Sequence, residues 1–178
     1  MSRLVFVTQV VDPAHPVLAA TVPKIRALAE RFDLVTVLTA AAVPGVLPAN
    51  CRVVTYGATS RLTRGWRYTR ALDRELAQRP TAVLVHMTPL LAVLAAPLAA
   101  PRRVPILLWF THWRRSRTLA LAERVSRFVL TVDRRSFPLR SAKVVAIGHG
   151  IDLGAFPLHE RPVRQPLRVV ALGRTSPA

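Results

Sequence analysis

Cysteine occurs once in the 178 residues, as Cys51. An internal disulfide or a cysteine-rich zinc site is therefore excluded, and the usage fits a reducing compartment. Lysine is almost as scarce. Of the 26 basic residues only Lys24 and Lys143 are lysine, and the rest are arginine. Acidic residues number 9, which leaves a formal net charge of +17 and a pI near 11.9. Long apolar runs are missing as well. Residues 1–11 are apolar but too short for a membrane span and lack a signal-peptide layout. The greasiest stretch, residues 88–100, is short and broken by Pro89 and Pro97. No segment is expected to cross a bilayer, while a peripheral position on a membrane stays open.

Several chemical signatures are absent too. There is no G-x-G-x-x-G after the first apolar run and no G-x-x-x-x-G-K-[ST], which disfavours a dinucleotide dehydrogenase or a P-loop NTPase. No G-x-S-x-G elbow marks an α/β-hydrolase. The histidines lack H-x-x-x-H or similar spacing, so no metal site is expected.

Hydrophobic residues make up 51% of the chain, enough to exclude disorder and to build one ordinary domain with a buried core. So basic a chain meets something negative: nucleic acid, an anionic membrane surface, or phosphates. An arginine and alanine bias can partly reflect codon usage, so charge alone selects no partner.

Apolar runs alternate with helical patterns along the sequence. Strands are expected at 4–10, 34–38, 52–56, 82–86, 106–110, 128–132 and 144–147, from β-rich continuous apolar runs. Helices are expected within 17–32, with a regular start near Thr21 as cap, and at 62–78, 90–99 and 117–126. Continuously apolar strands alternating with helices indicate a doubly wound, Rossmann-like α/β fold with a parallel sheet covered on both faces. Residues 1–151 then form the main domain. Residues 152–166, with three prolines, read as a linker, and 167–178 as a fresh strand and turn, so the chain is expected to stop just inside a second domain.

Ligands of open α/β sheets bind at the carboxyl ends of the strands. Polar residues there are Asp12 and His15 after the first strand, His86 and Thr88 after the fourth, and His112 and Arg114 after the fifth. Asp133 to Arg135 follow the sixth strand, and His149 stands between two glycines after the seventh. Together they suit an anionic or hydroxyl-rich ligand. Each also has a structural reading: His86 as a strand-end hydrogen bonder, Arg114 as a solvated helix start, His149 as part of a positive-φ turn, and His15 as loop structure. Arg67, Arg70 and Arg74 share one helical face beside Trp66, which suits lipid phosphates, nucleic-acid phosphate or plain solvent.

Four passages carry a resemblance. WFTHW (residues 109–113), VLTVDRRSFP (129–138), KVVAIGHGIDLGAF (143–156) and ALGRTSP (171–177) resemble, in order and spacing, the N-terminal half of glycosyltransferase family 4 enzymes of the GT-B fold. His149 stands where that family usually has Asn. The resemblance implies transfer of a sugar from a nucleotide-sugar donor to an acceptor hydroxyl, usually with retention and without a bound metal or other cofactor. It implies that this domain holds the acceptor and that the donor lies in a cleft against a second domain. His112 resembles the family's active-site His that contacts the transferring sugar, and Arg174 the Arg that binds the donor diphosphate. Pairing Arg to phosphate suits its planar donor fork. The family's Gly-Gly pair after the first strand is absent, because the loop here is DPAHPVLAAT (residues 12–21).

The expected function is thus a hexosyltransferase-type glycosyltransferase acting on a glycan or lipid-linked acceptor of the cell envelope. It is expected to be cytoplasmic or peripheral on the inner face of the cell membrane, to meet no nucleic acid, and to be inactive without its donor half. The rival reading is a basic α/β nucleic-acid-binding module. A steep loss of nucleic-acid binding with salt would mark the rival.

Overall fold

The computed structural model describes residues 1–150. The expected linker and second-domain strand, and with them Arg174, lie outside the described residues.

Seven parallel strands form one sheet: β1 (Arg3–Val7), β3 (Leu34–Thr39), β5 (Cys51–Thr55), β6 (Ala82–His86), β7 (Ile106–Trp109), β8 (Phe128–Thr131) and β9 (Val144–Ala146). A separate parallel pair, β2 (Val10–Val11) and β4 (Ala41–Ala42), lies just past the ends of β1 and β3. The helices are α1 (Thr21–Ala29), α2 (Arg61–Leu76), α3 (Pro89–Ala99) and α4 (Arg117–Val125). The doubly wound α/β expectation holds, and all seven expected strands are present. The first is shorter than the apolar run that predicts it. It ends at Val7, and the chain then steps out of the sheet to pair Val10 and Val11 with Ala41 and Ala42.

Strand order is β5-β3-β1-β6-β7-β8-β9. The chain winds outward from β1 through β3 to β5, then returns to β6 on the other flank of β1 and continues to β9. Winding therefore reverses between β1 and β6, where a crevice opens at the carboxyl ends of the strands. Registers Val7↔Val85 and Val85↔Leu108 bring the ends of β1, β6 and β7 to one level.

Alternation along the strands splits the core in two. Val5, Val7, Val83, Val85, Ile106, Leu108 and Val129 face α2, α3 and α4, whose buried Leu72, Leu76, Ala92, Ala95, Leu119 and Ala122 complete that layer. Leu4, Phe6, Val35, Val37 and Leu84 face Val22, Ile25 and Ala29 of α1. Among the described residues α1 is the only helix on that side, and beyond it Phe128 stays 44% and Val145 40% exposed. The chemistry of α3 follows from its place. Its PLLAVLAAPLA sequence is apolar nearly all round because it packs between α2 and α4.

Thr21 opens α1 as expected but does not cap it. Residue 20 holds the N-cap position with helical backbone angles and no side-chain cap. The Thr21 and Val22 amides already donate to the Leu18 and Ala19 carbonyls, so the preceding turn runs directly into the helix.

Leu72 is fully buried against the sheet, so Leu72→Ala should leave a cavity and lower unfolding free energy by about 2–5 kcal/mol. Urea denaturation measures this, and a midpoint equal to wild type would contradict the packing described.

Candidate functional site

On the α2–α3 side of the crevice lies a cleft of about 680 Å³, lined by Gln9, Tyr56, Arg64, Met87, Thr88 and Leu91 among others. Tyr56 lines it, and the fully buried Tyr68 packs against Tyr56. Tyr56 donates its hydroxyl to the Thr8 carbonyl at 2.7 Å, and Tyr68 donates to the Leu91 carbonyl at 2.9 Å. Their rings meet edge to face at 5.4 Å. Burial pushes the Tyr56 hydroxyl up to about 12 and that of Tyr68 well above its ordinary value, so both remain neutral donors. Arg64 donates to the Ala58 carbonyl and Arg67 to the Gly57 carbonyl, tying the loop after β5 to α2. Gly57 is required there, since a Cβ would lie 2.3 Å from the Ala40 carbonyl oxygen.

Met87 sits at the turn from β6 into α3 with φ of +57°, a left-handed conformation that is costly for a side-chain-bearing residue. Its amide donates to the Trp109 carbonyl at 2.8 Å, and its sulfur lies 3.4 Å from the Thr111 amide. The strain is held in place by Trp109 at the end of β7 and Thr111 just after it, and Met87 lines the cleft.

His86 is buried on the other side of the sheet, stacked on Phe6 and edge-on to Trp109. Lys24, reaching in from α1, places Nζ 3.4 Å from His86 Nε2 and 4.6 Å from the Trp109 ring centroid. Burial first, and the Lys24 charge second, push His86 down to about 3. Burial also lowers the Lys24 pKa. Sequence reading singled out His86 but missed Lys24. Its one signal was rarity, a lysine kept in a chain that otherwise uses arginine.

His112 is half-buried in the loop after β7. Its amide donates to the Ser136 carbonyl at 2.9 Å, and its Nδ1 accepts from the Arg114 amide at 2.9 Å. That bond places the proton of the neutral ring on Nε2, leaving a donor suited to a sugar hydroxyl or phosphate oxygen. The ring stacks on Trp113 at 4.8 Å. The Arg114 side chain is exposed, and Ser116 caps α4 by accepting from the Leu119 amide.

Asp12 and His15 organise their own loop. Asp12 Oδ1 accepts from the Ala14 amide, and His15 Nδ1 accepts from the Val17 and Leu18 amides. His149 is exposed beside Gly148, whose φ of +73° makes the positive-φ turn expected there. Parallel topology thus puts Asp12, His15, His86, His112, Arg114 and His149 at one sheet edge, with His86 beneath the surface rather than open to it. Arg67, Arg70 and Arg74 lie exposed on α2, with Arg70 over the Trp66 ring at 5.3 Å. Among the described residues no group of three or more His, Cys, Asp or Glu could hold a metal ion. No described helix is long and apolar enough to cross a membrane.

No family model and no curated protein matches the sequence. Solved structures do match the fold. Anabaena HepE, solved with UDP and glucose, aligns over 86% of this chain and 46% of its own, with 15% identity and a TM-score of 0.61. MurG of Acinetobacter baumannii aligns over 92% of this chain and 51% of its own, at 15% identity and TM-score 0.59. UDP-GlcNAc 2-epimerase of Methanocaldococcus jannaschii aligns over 83% and 45%, at 11% identity and TM-score 0.59. The chain spans about half the length of these structures. Its fold is that of the Rossmann-like N-terminal domain of the GT-B type.

His86 titrates near 6.5 in the unfolded chain but near 3 when folded. Between those values the unfolded chain binds more protons, so stability is whole above pH 6.5 and falls as the pH drops toward 3. The urea midpoint of His86→Gln should accordingly depend less steeply on pH from 6.5 to 4 than that of wild type. Equal slopes would contradict a buried, neutral His86.

Proposed function

We propose that the chain is the acceptor-side domain of a glycosyltransferase that uses a nucleotide-sugar donor. The observation carrying this reading is the crevice at the β1–β6 reversal, with His112 held in one tautomer on the neighbouring strand end. HepE was solved with UDP and glucose, which supports a UDP-sugar as donor here. His112 Nε2 donates to the sugar or its departing phosphate. A fixed donor aimed where charge develops assists transfer without reorganising during the reaction. Arg174 pairs with the donor diphosphate as it leaves, a role in which its planar fork suits two phosphate oxygens. Transfer proceeds with retention and without a metal, and the donor-binding half completes the enzyme.

The acceptor is a glycan or lipid-linked sugar met at the inner face of the cell membrane. Leu62 and Trp66 are 87% and 59% exposed on α2, and Arg70 and Arg74 continue their row at four-residue steps. A row of apolar and then basic side chains suits an anionic bilayer surface, with Trp66 at the interfacial level.

A protein carrying this sequence together with a donor-binding half should transfer sugar from a UDP-sugar. His112→Ala should lower kcat about a hundred- to a thousand-fold, the usual loss for one transition-state donor. Unaltered turnover in the variant would remove His112 from the site. Conversion of UDP-GlcNAc to its epimer without any acceptor would instead favour an epimerase on the same fold. For the membrane contact, Arg67→Glu, Arg70→Glu and Arg74→Glu together should abolish flotation with vesicles rich in anionic lipid. Undiminished flotation would contradict it.

A further inference from the structure

Past Trp109 and Leu130, the last paired residues of β7 and β8, the two chains stay joined. The Phe110 amide still donates to the Leu130 carbonyl at 2.9 Å. Beyond that point the chain after β8 closes the short turn Arg134–Ser136. Asp133, one of the polar residues that sequence reading placed at this edge, is spent on that turn. Its Oδ1 accepts from the Arg135 amide at 2.7 Å, and its carbonyl accepts from the Ser136 amide at 2.9 Å. The closed turn fixes the Ser136 carbonyl, which accepts from the His112 amide at 2.9 Å.

Three residues after His112 the loop is pinned a second time. Arg115 Nε donates to the Pro138 carbonyl at 2.8 Å. Beneath the two anchors the Phe110 and Phe137 rings meet edge to face at 6.2 Å, and Phe137 is buried. The partner of Arg115 is a main-chain carbonyl rather than a carboxylate, so the contact works through geometry and not through charge pairing. Only Trp113 and Arg114 lie between the anchors, and the Arg114 amide is the group that donates to His112 Nδ1 at 2.9 Å. A segment tied at one end leaves its amides free to turn. Tied at both ends over so short a span, it keeps the Arg114 N–H aimed at the imidazole.

We infer that Arg115 and Asp133 are positioning residues for His112. Asp133 sets the turn that holds the His112 amide, and Arg115 closes the far end of the loop. Together they keep Nδ1 engaged by the Arg114 amide and leave Nε2 as the outward donor. Neither side chain needs to touch a substrate for this. The inference rests on the transferase reading only for what His112 does, because the way it is held can be measured without turnover.

Both side chains are exposed, so their replacement leaves the core intact. Amide hydrogen exchange is followed by NMR in the 178-residue chain. Arg115→Met and Asp133→Ala should each speed exchange of the Arg114 amide by about tenfold or more, with the β7 amides of Leu107 and Leu108 unchanged. Asp133→Asn, whose side-chain oxygen can still accept from the Arg135 amide, should exchange like wild type. An Arg114 amide that exchanges equally in wild type and Arg115→Met overturns the inference. Faster exchange spread equally over β7 overturns it too, since that is general loosening. In a protein completed by a donor-binding half, Arg115→Met should lower kcat about ten- to a hundredfold, the range for a misplaced catalytic group. KM for the UDP-sugar and for the acceptor should stay within about twofold. In a His112→Ala background the same substitution should cost nothing further, because its effect runs through His112. A loss of equal size in both backgrounds, or one confined to KM, overturns the inference. A completed protein that transfers no sugar removes the transferase reading, and amide exchange then decides alone whether Arg115 and Asp133 position His112.

Discussion

Everything in this domain depends on the parallel pairing of β1 with strands on both its flanks. Because β3 and β6 both run parallel to β1, every strand ends at the same edge of the sheet. Because the winding reverses between β1 and β6, the helices that follow β1 and β6 lie on opposite faces and leave a crevice between them. The pairing is bought with nearly complete burial, since Leu4 through Val7 and Ala82 through His86 are shielded from water on both sides. Each Val, Leu or Phe so buried contributes on the order of 1.5–3 kcal/mol relative to exposure.

Burial has a second consequence at the strand ends, where polar residues begin. Tyr56 and Tyr68 meet it by donating to backbone carbonyls, which closes the hydrogen-bond account on the cleft side. On the α1 side the account stays open at Thr8, Thr21 and His86. The same edge carries a left-handed Met87 and a His112 whose tautomer is set by the Arg114 amide. Strain, orphaned donors and an oriented imidazole thus coincide at the carboxyl edge of the sheet, the edge that carries the 680 Å³ cleft.

The sequence made the architecture legible because its strands are continuous apolar runs, and β6 (Ala82–His86) matches expectation at both ends. The pairing of β2 with β4 was invisible, because two-residue strands carry no periodicity and Ala41–Ala42 has no β preference. Among the site residues, the position of His112 could be read from strand order, but its tautomer could not, since that depends on a local turn. Lys24 was hidden by its helix. Apolar spacing marks α1 as facing the core, but not that one long side chain curls back over Trp109 toward His86. The arginines were legible as charge and not as contacts, for Arg64 and Arg67 prove to hold the loop after β5.

The central claim is that ligands meet this domain at the carboxyl edge of its sheet. Amide hydrogen exchange of a protein carrying this sequence and a donor-binding half, with and without a UDP-sugar and acceptor, tests it most directly. The account predicts slowed exchange at residues 8–20, 86–91 and 110–115. Slowing confined to the opposite edge, at residues 77–80 and 101–105, would contradict it.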